Sequence, residues 1–406
     1  MSAHANAVDL SDAQAPANSI WKKLPLIFAV IGVAGVALAF VTVGTDTKQF
    51  WYSYLTAYMF WLSVGLGGLF FVLIHHATRA GWSTVVRRVA ENYMITLPLL
   101  GLLALPIVFG GMDDLYHVWV HPAATDLFVQ AKTGFLNTDF FTVRVIAYAV
   151  IWTALGLYLY LASRKQDVTG DPKLAHGMRR VAPFGLILFA LTITFAAVDF
   201  MMSLDPHWYS TIFGVVYFGG TFMAIASVLA LTGMALQRTG LLKNAITTEH
   251  YHDLGKLAFA FMVFWAYVAF SQFMLIWYAN IPEETIWFAY RATNGWEIVA
   301  GVLTLLHFVV PFFFMMSRHI KRRNLTLAIG AVILLVAHYI DMFWIIQPAM
   351  RQHDADPHFS MHIADLLTFI GIGGLVLAVF SWRVSAAPVA PMKDPRLMES
   401  LDFENF

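Results

Sequence analysis

The sequence predicts an all-α polytopic membrane protein: ten transmembrane helices in two four-helix bundles, helices 2–5 and 6–9, with one flanking helix at each end of the chain. Three observations carry that prediction. Hydrophobic residues make up 59% of the 406 and charged residues 12%, an apolar excess that a water-soluble chain of this size does not carry. Apolar runs of about 20 residues, the length that crosses a hydrocarbon core, recur along the whole chain. Lys and Arg fall in alternate loops, 20 of the 25 on one side (Lys22 through Arg396) and only Lys48, Lys132, Arg144, Arg291 and Arg351 on the other. The positive-inside rule then sets both termini in the cytoplasm of a bacterial inner membrane, in keeping with an even number of spans. The net charge of zero says nothing about partners, and no basic patch points to nucleic acid.

Taken in order, a polar tail (1–23) precedes the first run, 24–42. No small-residue cleavage site follows it, so segment 24–47 reads as a retained flanking helix and not a signal peptide. Runs at 51–74, 91–111, 140–162 and 181–203 form the first bundle (48–203), and runs at 211–236, 255–279, 293–316 and 325–347 the second (204–350). The last run, 363–382, lies in a second flanking segment (351–382) ahead of a C-terminal tail (383–406). Trp51, Tyr52, Trp208, Tyr209, Trp277 and Tyr278 sit near span ends, where amphipathic rings anchor at the interface. Glycines at 65, 67 and 68, at 214, 219 and 220, and at 371, 373 and 374 supply small faces for close helix packing.

Two stretches point to an internal repeat. "VDFMMSLDP" (Val198–Pro206) and "IDMFWIIQP" (Ile340–Pro348) each place an aspartate seven residues before a proline, at the ends of the fifth and ninth spans. Four helices apart means the same orientation, so the bundles are expected to be parallel repeats with Asp199 and Asp341 in corresponding places, a common layout in transporters.

Ionisable residues inside spans are costly and mark pathways or pairs. With about 1.5 Å of rise per residue, Glu297, Asp341, His338 and His307 step from the outer surface to the middle of the second bundle, and His338 and Asp341 share a helix face. His75, His76, Glu91, Asp253 and Lys256 mark the inner surface. Asp199 and Arg144 face each other from adjacent spans. Acids and imidazoles in apolar surroundings favour their neutral forms and can exchange protons, so the set reads as two half-paths for protons. Each member alone reads equally as a helix–helix clamp, Arg144 with Asp199 or Arg291 with Glu297. Ser271, Gln272 and Thr304 either continue a path or tie helices together. A bis-histidine haem is the weaker reading of His307 and His338, since they are the only mid-membrane pair. Cysteine is absent, which excludes iron–sulfur ligation, disulfides and thiol chemistry in this chain.

The segments "AAVDFMMSLDPHWYSTIFGVVYFGG" (196–220) and "HDLGKLAFAFMVFWAYVAFSQFMLIWYANIPEET" (252–285) resemble the ActF subunit of bacterial alternative complex III, a quinol:cytochrome c oxidoreductase, and the likeness extends over nearly all ten spans. ActF and its sister ActC are similar to the membrane subunits of polysulfide reductase and the NrfD group, built on two four-helix bundles. The resemblance implies an inner-membrane subunit of an electron-transport chain that has no redox centre of its own and contributes a proton path. It also implies ActC, a periplasmic iron–sulfur subunit and multi-haem cytochrome c subunits as partners, with a terminal oxidase as a further one. A contact with quinone or menaquinone would fall at the outer ends of helices 3 and 4, on Asp113, Asp114, His117 and Arg144. A proton-coupled secondary transporter and a structural anchor for periplasmic redox subunits are the competing readings.

Overall fold

In a computed structural model, residues 10–352 and 358–405 are described; positions 1–9 of the expected N-terminal tail, 353–357 of the last connection and 406 of the C-terminal tail lie outside them. Ten helices long and apolar enough to cross a membrane are present among the described residues, and no strand. They are α1 (Leu24–Val43), α2 (Thr47–Ala77), α3 (Thr84–Phe109), α4 (Thr138–Thr169), α5 (Pro172–Leu204), α6 (Phe213–Arg238), α7 (Thr248–Ala279), α8 (Trp296–Met315), α9 (Asn324–Arg351) and α10 (Ile363–Ala386). The chain is a multi-pass α-helical membrane protein.

Several helices outrun the apolar runs that announce them, because capping side chains carry the backbone past the hydropathy edge. Asp46 Oδ1 accepts the Gln49 amide at 3.1 Å to start α2, and Asn137 Oδ1 accepts that of Phe140 at 2.8 Å to start α4. Pro172 opens α5 directly after its cap Asp171. α3 begins seven residues ahead of the expected position, and the charges this brings into the helix, Arg87 and Arg88, are buried against Glu91. In contrast α8 starts at Trp296 and not at 293, because Asn294 and Gly295 adopt positive φ (57° and 91°) and make a turn.

Helices α2–α5 pack in a ring, each against the next with α5 returning to α2, and α6–α9 repeat the arrangement. The two bundles meet through α2 and α6, whose apolar stretches are each 83% buried against 22% for α1 and α8. Close approach needs glycine here: a Cβ on Gly67 would lie 2.6 Å from Ile225 Cβ, and one on Gly68 2.9 Å from Ala90 O. The flanking helices α1 and α10 pair with each other, Gly32 and Gly35 against Gly374 and Gly371, and α10 rests on α2 through Trp61 Nε1 donating to Phe369 O at 3.0 Å. Large apolar side chains such as Leu26, Phe109, Phe184, Tyr267 and Phe270 face outward, as lipid contact requires.

Candidate functional site

The first bundle holds its aspartate in a closed clamp. Arg144 on α4 grips Asp199 on α5 in a bidentate pair, Nε to Oδ2 at 2.9 Å and Nη2 to Oδ1 at 2.8 Å. Tyr148, one turn along α4, donates to Oδ2 at 2.7 Å, and the remaining Arg144 Nη1 donates to Phe135 O at 2.9 Å. The guanidinium also lies over the Phe135 ring at 3.9 Å, so each of its three nitrogens and one of its faces is engaged inside the clamp.

The second bundle arranges its aspartate differently. Asp341 and His338, three residues apart on α9, meet His307 of α8 in the interior, with the ligand atoms of all three within 4.8 Å of one another. Among the described residues no cation pairs with Asp341; Trp265 Nε1 of α7 donates to its Oδ2 at 3.0 Å, and the same indole stacks on the His307 ring at a centroid distance of 3.6 Å. His338 Nε2 lies 2.9 Å from Ser63 Oγ of α2. Since the single Ser63 hydroxyl proton is directed to Phe60 O at 2.6 Å, Ser63 accepts from Nε2–H, which leaves the lone pair on Nδ1. That Nδ1 and both nitrogens of His307 are buried without a hydrogen-bond partner. Gly220 of α6 backs the cluster: a Cβ there would sit 2.7 Å from His338 Cε1.

A local break in α8 presents His307. Residues Leu305–Val309 form a π turn, and Pro311, four residues after His307, lacks the amide that an α-helix would direct at the His307 carbonyl. Proline thus accounts for the re-registered turn on which the imidazole sits.

A cavity of about 580 Å³ opens beside Asp341 between α7, α8 and α9. Its walls are mainly aromatic and aliphatic, Trp265, Trp287, Phe288 and Trp344 among them, with polar atoms from Gln272, Thr304 and Arg291. Arg291, in the connection before α8, is buried without a carboxylate pair among the described residues; it donates to Trp344 O (3.1 Å), Trp287 O (3.0 Å) and Ile345 O (2.7 Å) and lies 3.5 Å over the Trp287 ring. Burial pulls its pKa down to about 9, and the carbonyls and indole answer that cost.

The remaining expected residues stand apart from the cluster. Glu297 is exposed and accepts the Gly295 amide at 2.8 Å, a local cap of α8, and Arg291 does not pair with it. Glu91 is locked between Arg88 (2.9 Å) and Ser163 (3.0 Å), and Arg88 also bridges to Asp167 at 2.9 Å. Asp253 pairs with Lys256 at 2.5 Å and accepts from Asn405 at 2.9 Å, tying the C-terminal tail to α7. His75 and His76 line a separate pocket at the end carrying both termini. Asp113, Asp114 and His117 lie on a short helix, Met112–Val120, where Asp113 is exposed and meets His121 at 3.2 Å; Arg144 points away from them toward Asp199. Gln272 accepts from Ser210 at 2.9 Å while lining the cavity, Thr304 bonds back to Ala300 O at 2.9 Å, and Ser271 is not in the lining.

Four participants were not singled out from the sequence: Trp265, Ser63, Gly220 as the backing of His338, and Asp365. The last starts α10 in a capping box with His362 and is held by Ser53 at 2.5 Å and Gln347 at 3.2 Å, which fastens α10 to α2 and α9. None of them has a local sequence signal, since a His-x-x-Asp start is not the usual Ser/Thr-x-x-Glu/Gln pattern of a capping box.

Ligands of one zinc ion at about 2.0–2.1 Å sit roughly 3.4 Å apart, so His307, His338 and Asp341 would have to draw together to hold a transition metal. The two imidazoles meet edge to face at 65°, their centroids 6.5 Å apart. Compared with models of known protein families and with curated proteins, the chain matches none. Fold and site together define a multi-pass helical membrane protein with a buried acid–imidazole cluster in one of its two bundles.

Proposed function

We propose that the chain is a non-redox membrane subunit of a quinol-oxidising electron-transfer complex in a bacterial inner membrane, and that it carries protons through the α8–α9 cluster. The observation that supports this most is an aspartate and two imidazoles meeting in the interior with three ring nitrogens unpartnered, next to a cavity that reaches Asp341. Buried polar groups are ordinarily satisfied, so open nitrogens beside an unpaired acid suit transfer better than support. A proton arriving through the cavity is taken by Asp341 and handed to the imidazoles. Uptake at His338 Nδ1 frees the Nε2 proton toward Ser63 on α2, the central helix. The likeness of 196–220 and 252–285 to ActF supplies the setting, with an ActC-like subunit, an iron–sulfur subunit and multi-haem cytochromes as expected partners. A quinone ring, the family's substrate, suits the apolar cavity beside Asp341 better than the Asp113, Asp114 and His117 group.

The test is purification through a tag on this chain, followed by quinol-driven proton movement in liposomes. Co-purifying haem and iron–sulfur proteins, and a fall of roughly tenfold or more in protons moved per turnover for Asp341→Asn, are expected. Unchanged proton movement in Asp341→Asn and His338→Gln would leave only the structural anchor. The cavity also favours a second reading, a proton-coupled secondary transporter; it predicts a chain that purifies alone and moves a solute in the same liposomes.

A further inference from the structure

At the end that carries both termini, the C-terminal end of α2, the start of α5 and the tail segment Asp394–Arg396 enclose a second pocket of about 230 Å³. Its lining holds four guanidiniums, Arg79, Arg87, Arg179 and Arg396, with His75, His76 and His176, against the single carboxylate of Asp394. That carboxylate is taken by Arg87, which also faces Glu91 at 3.5 Å. Among the described residues Arg79, Arg179 and Arg396 form no ion pair. Two nitrogens are buried there without a hydrogen-bond partner: Nε2 of His76, a side chain only 7% exposed, and the donor Nη1 of Arg396.

Four guanidiniums around one small space with a single carboxylate, and with a buried Arg396 N–H unmet, repel each other unless an anion joins them. A phosphate supplies acceptor oxygens in several directions and matches the forked donors of arginine. The surroundings favour one source of it. Beyond the pocket, the side of α5 that carries Arg179 continues at helical spacing through Pro183, Ile187 and Ala190, all exposed, an apolar track on which an acyl chain can lie while its headgroup turns into the pocket. We propose that this pocket binds the phosphate of an anionic phospholipid from the surrounding bilayer, and thereby pins the C-terminal tail against α2 and α5. The site stands whether or not the α8–α9 cluster carries protons.

The test is native mass spectrometry of the protein, purified with whatever subunits accompany it and stripped of lipid in detergent, then titrated with phosphatidylglycerol or with phosphatidylcholine. Inorganic phosphate serves as competitor. Retention of phosphatidylglycerol over phosphatidylcholine, weakened about 25-fold in the Arg79→Ala/Arg179→Ala variant (about fivefold per arginine), supports the proposal. A thermal midpoint and elution volume like those of the parent show that this variant is folded. If it fails to fold, the parent's own preference between the two lipids, and its reversal by phosphate, decides the question. Binding of inorganic phosphate with no preference for the anionic lipid would assign the pocket to a free phosphate and overturn the lipid reading. Equal retention of both lipids, with no effect of phosphate, would overturn the site altogether.

Discussion

Asp199 and Asp341 occupy corresponding places in two bundles and have opposite surroundings. Asp199 is met by a bidentate guanidinium and a phenol, and the third guanidinium nitrogen donates to a backbone carbonyl. Asp341 has one indole donor and, on its other side, two imidazoles and a cavity. The same sequence signature therefore serves two ends. One bundle neutralises its acid and gains a rigid tie between α4 and α5; the other leaves its acid without a cation, beside two imidazoles. A repeated motif locates a buried carboxylate, and its partners decide what that carboxylate can do.

Removing the cation should separate the two most sharply. Arg144→Ala strands Asp199 in a dry interior, and breaking a buried pair costs about 3–5 kcal/mol; denaturant or thermal unfolding in detergent measures it. Replacing both partners, Arg144→Met with Asp199→Leu, should recover most of that loss, since apolar isosteres avoid the stranded charge. A single variant as stable as the parent would mean that Asp199 is not clamped and that the contrast with Asp341 is false.

Next in size is Gly220→Ala. The new methyl would lie 2.7 Å from His338 Cε1 and 2.8 Å from Nδ1, too close for either atom to stay. A loss of about 1–3 kcal/mol is expected for such overpacking, together with a fall in proton movement as His338 leaves Asp341. Gly219→Ala, whose Cβ would meet Trp265 no closer than 3.3 Å, is the milder neighbour for comparison. Should both behave alike, His338 has room to yield and its position is not set by α6.

Much of this contrast was legible in the sequence. Ten apolar runs and their alternating basic loops locate the spans, and the i, i+3 spacing of His338 and Asp341 sets them on one face. Arg144 and Asp199 could be matched because adjacent antiparallel helices bring the outer part of one to the outer part of the next. The rest depends on tertiary packing. Trp265 reads as one aromatic among many in α7, and nothing local says that its N–H reaches α9 or that its ring covers His307. Ser63 sits in a small-residue stretch of α2 whose partner is 275 positions away. Glu297 turns outward to a local partner, which depth along a helix does not reveal; the Asn294–Gly295 turn gives it a backbone amide to accept from. Pro311 was a usable signal for the broken turn at His307.

The smallest expected effects come from the single donors, and they test the comparison most finely. Tyr148→Phe removes a hydroxyl from Asp199 Oδ2, but Arg144 still holds both carboxylate oxygens. Trp265→Phe removes the only donor that Asp341 has among the described residues while keeping a ring against His307. Each deletion costs a similar amount in stability, about 1–2 kcal/mol, so unfolding alone will not tell them apart. Proton movement should: Tyr148→Phe leaves it at the parent's level, whereas Trp265→Phe changes both its rate and its pH profile, because the carboxyl then has only the imidazoles and the cavity to meet. Equal behaviour of the two variants would place Asp341 in the same supporting role as Asp199.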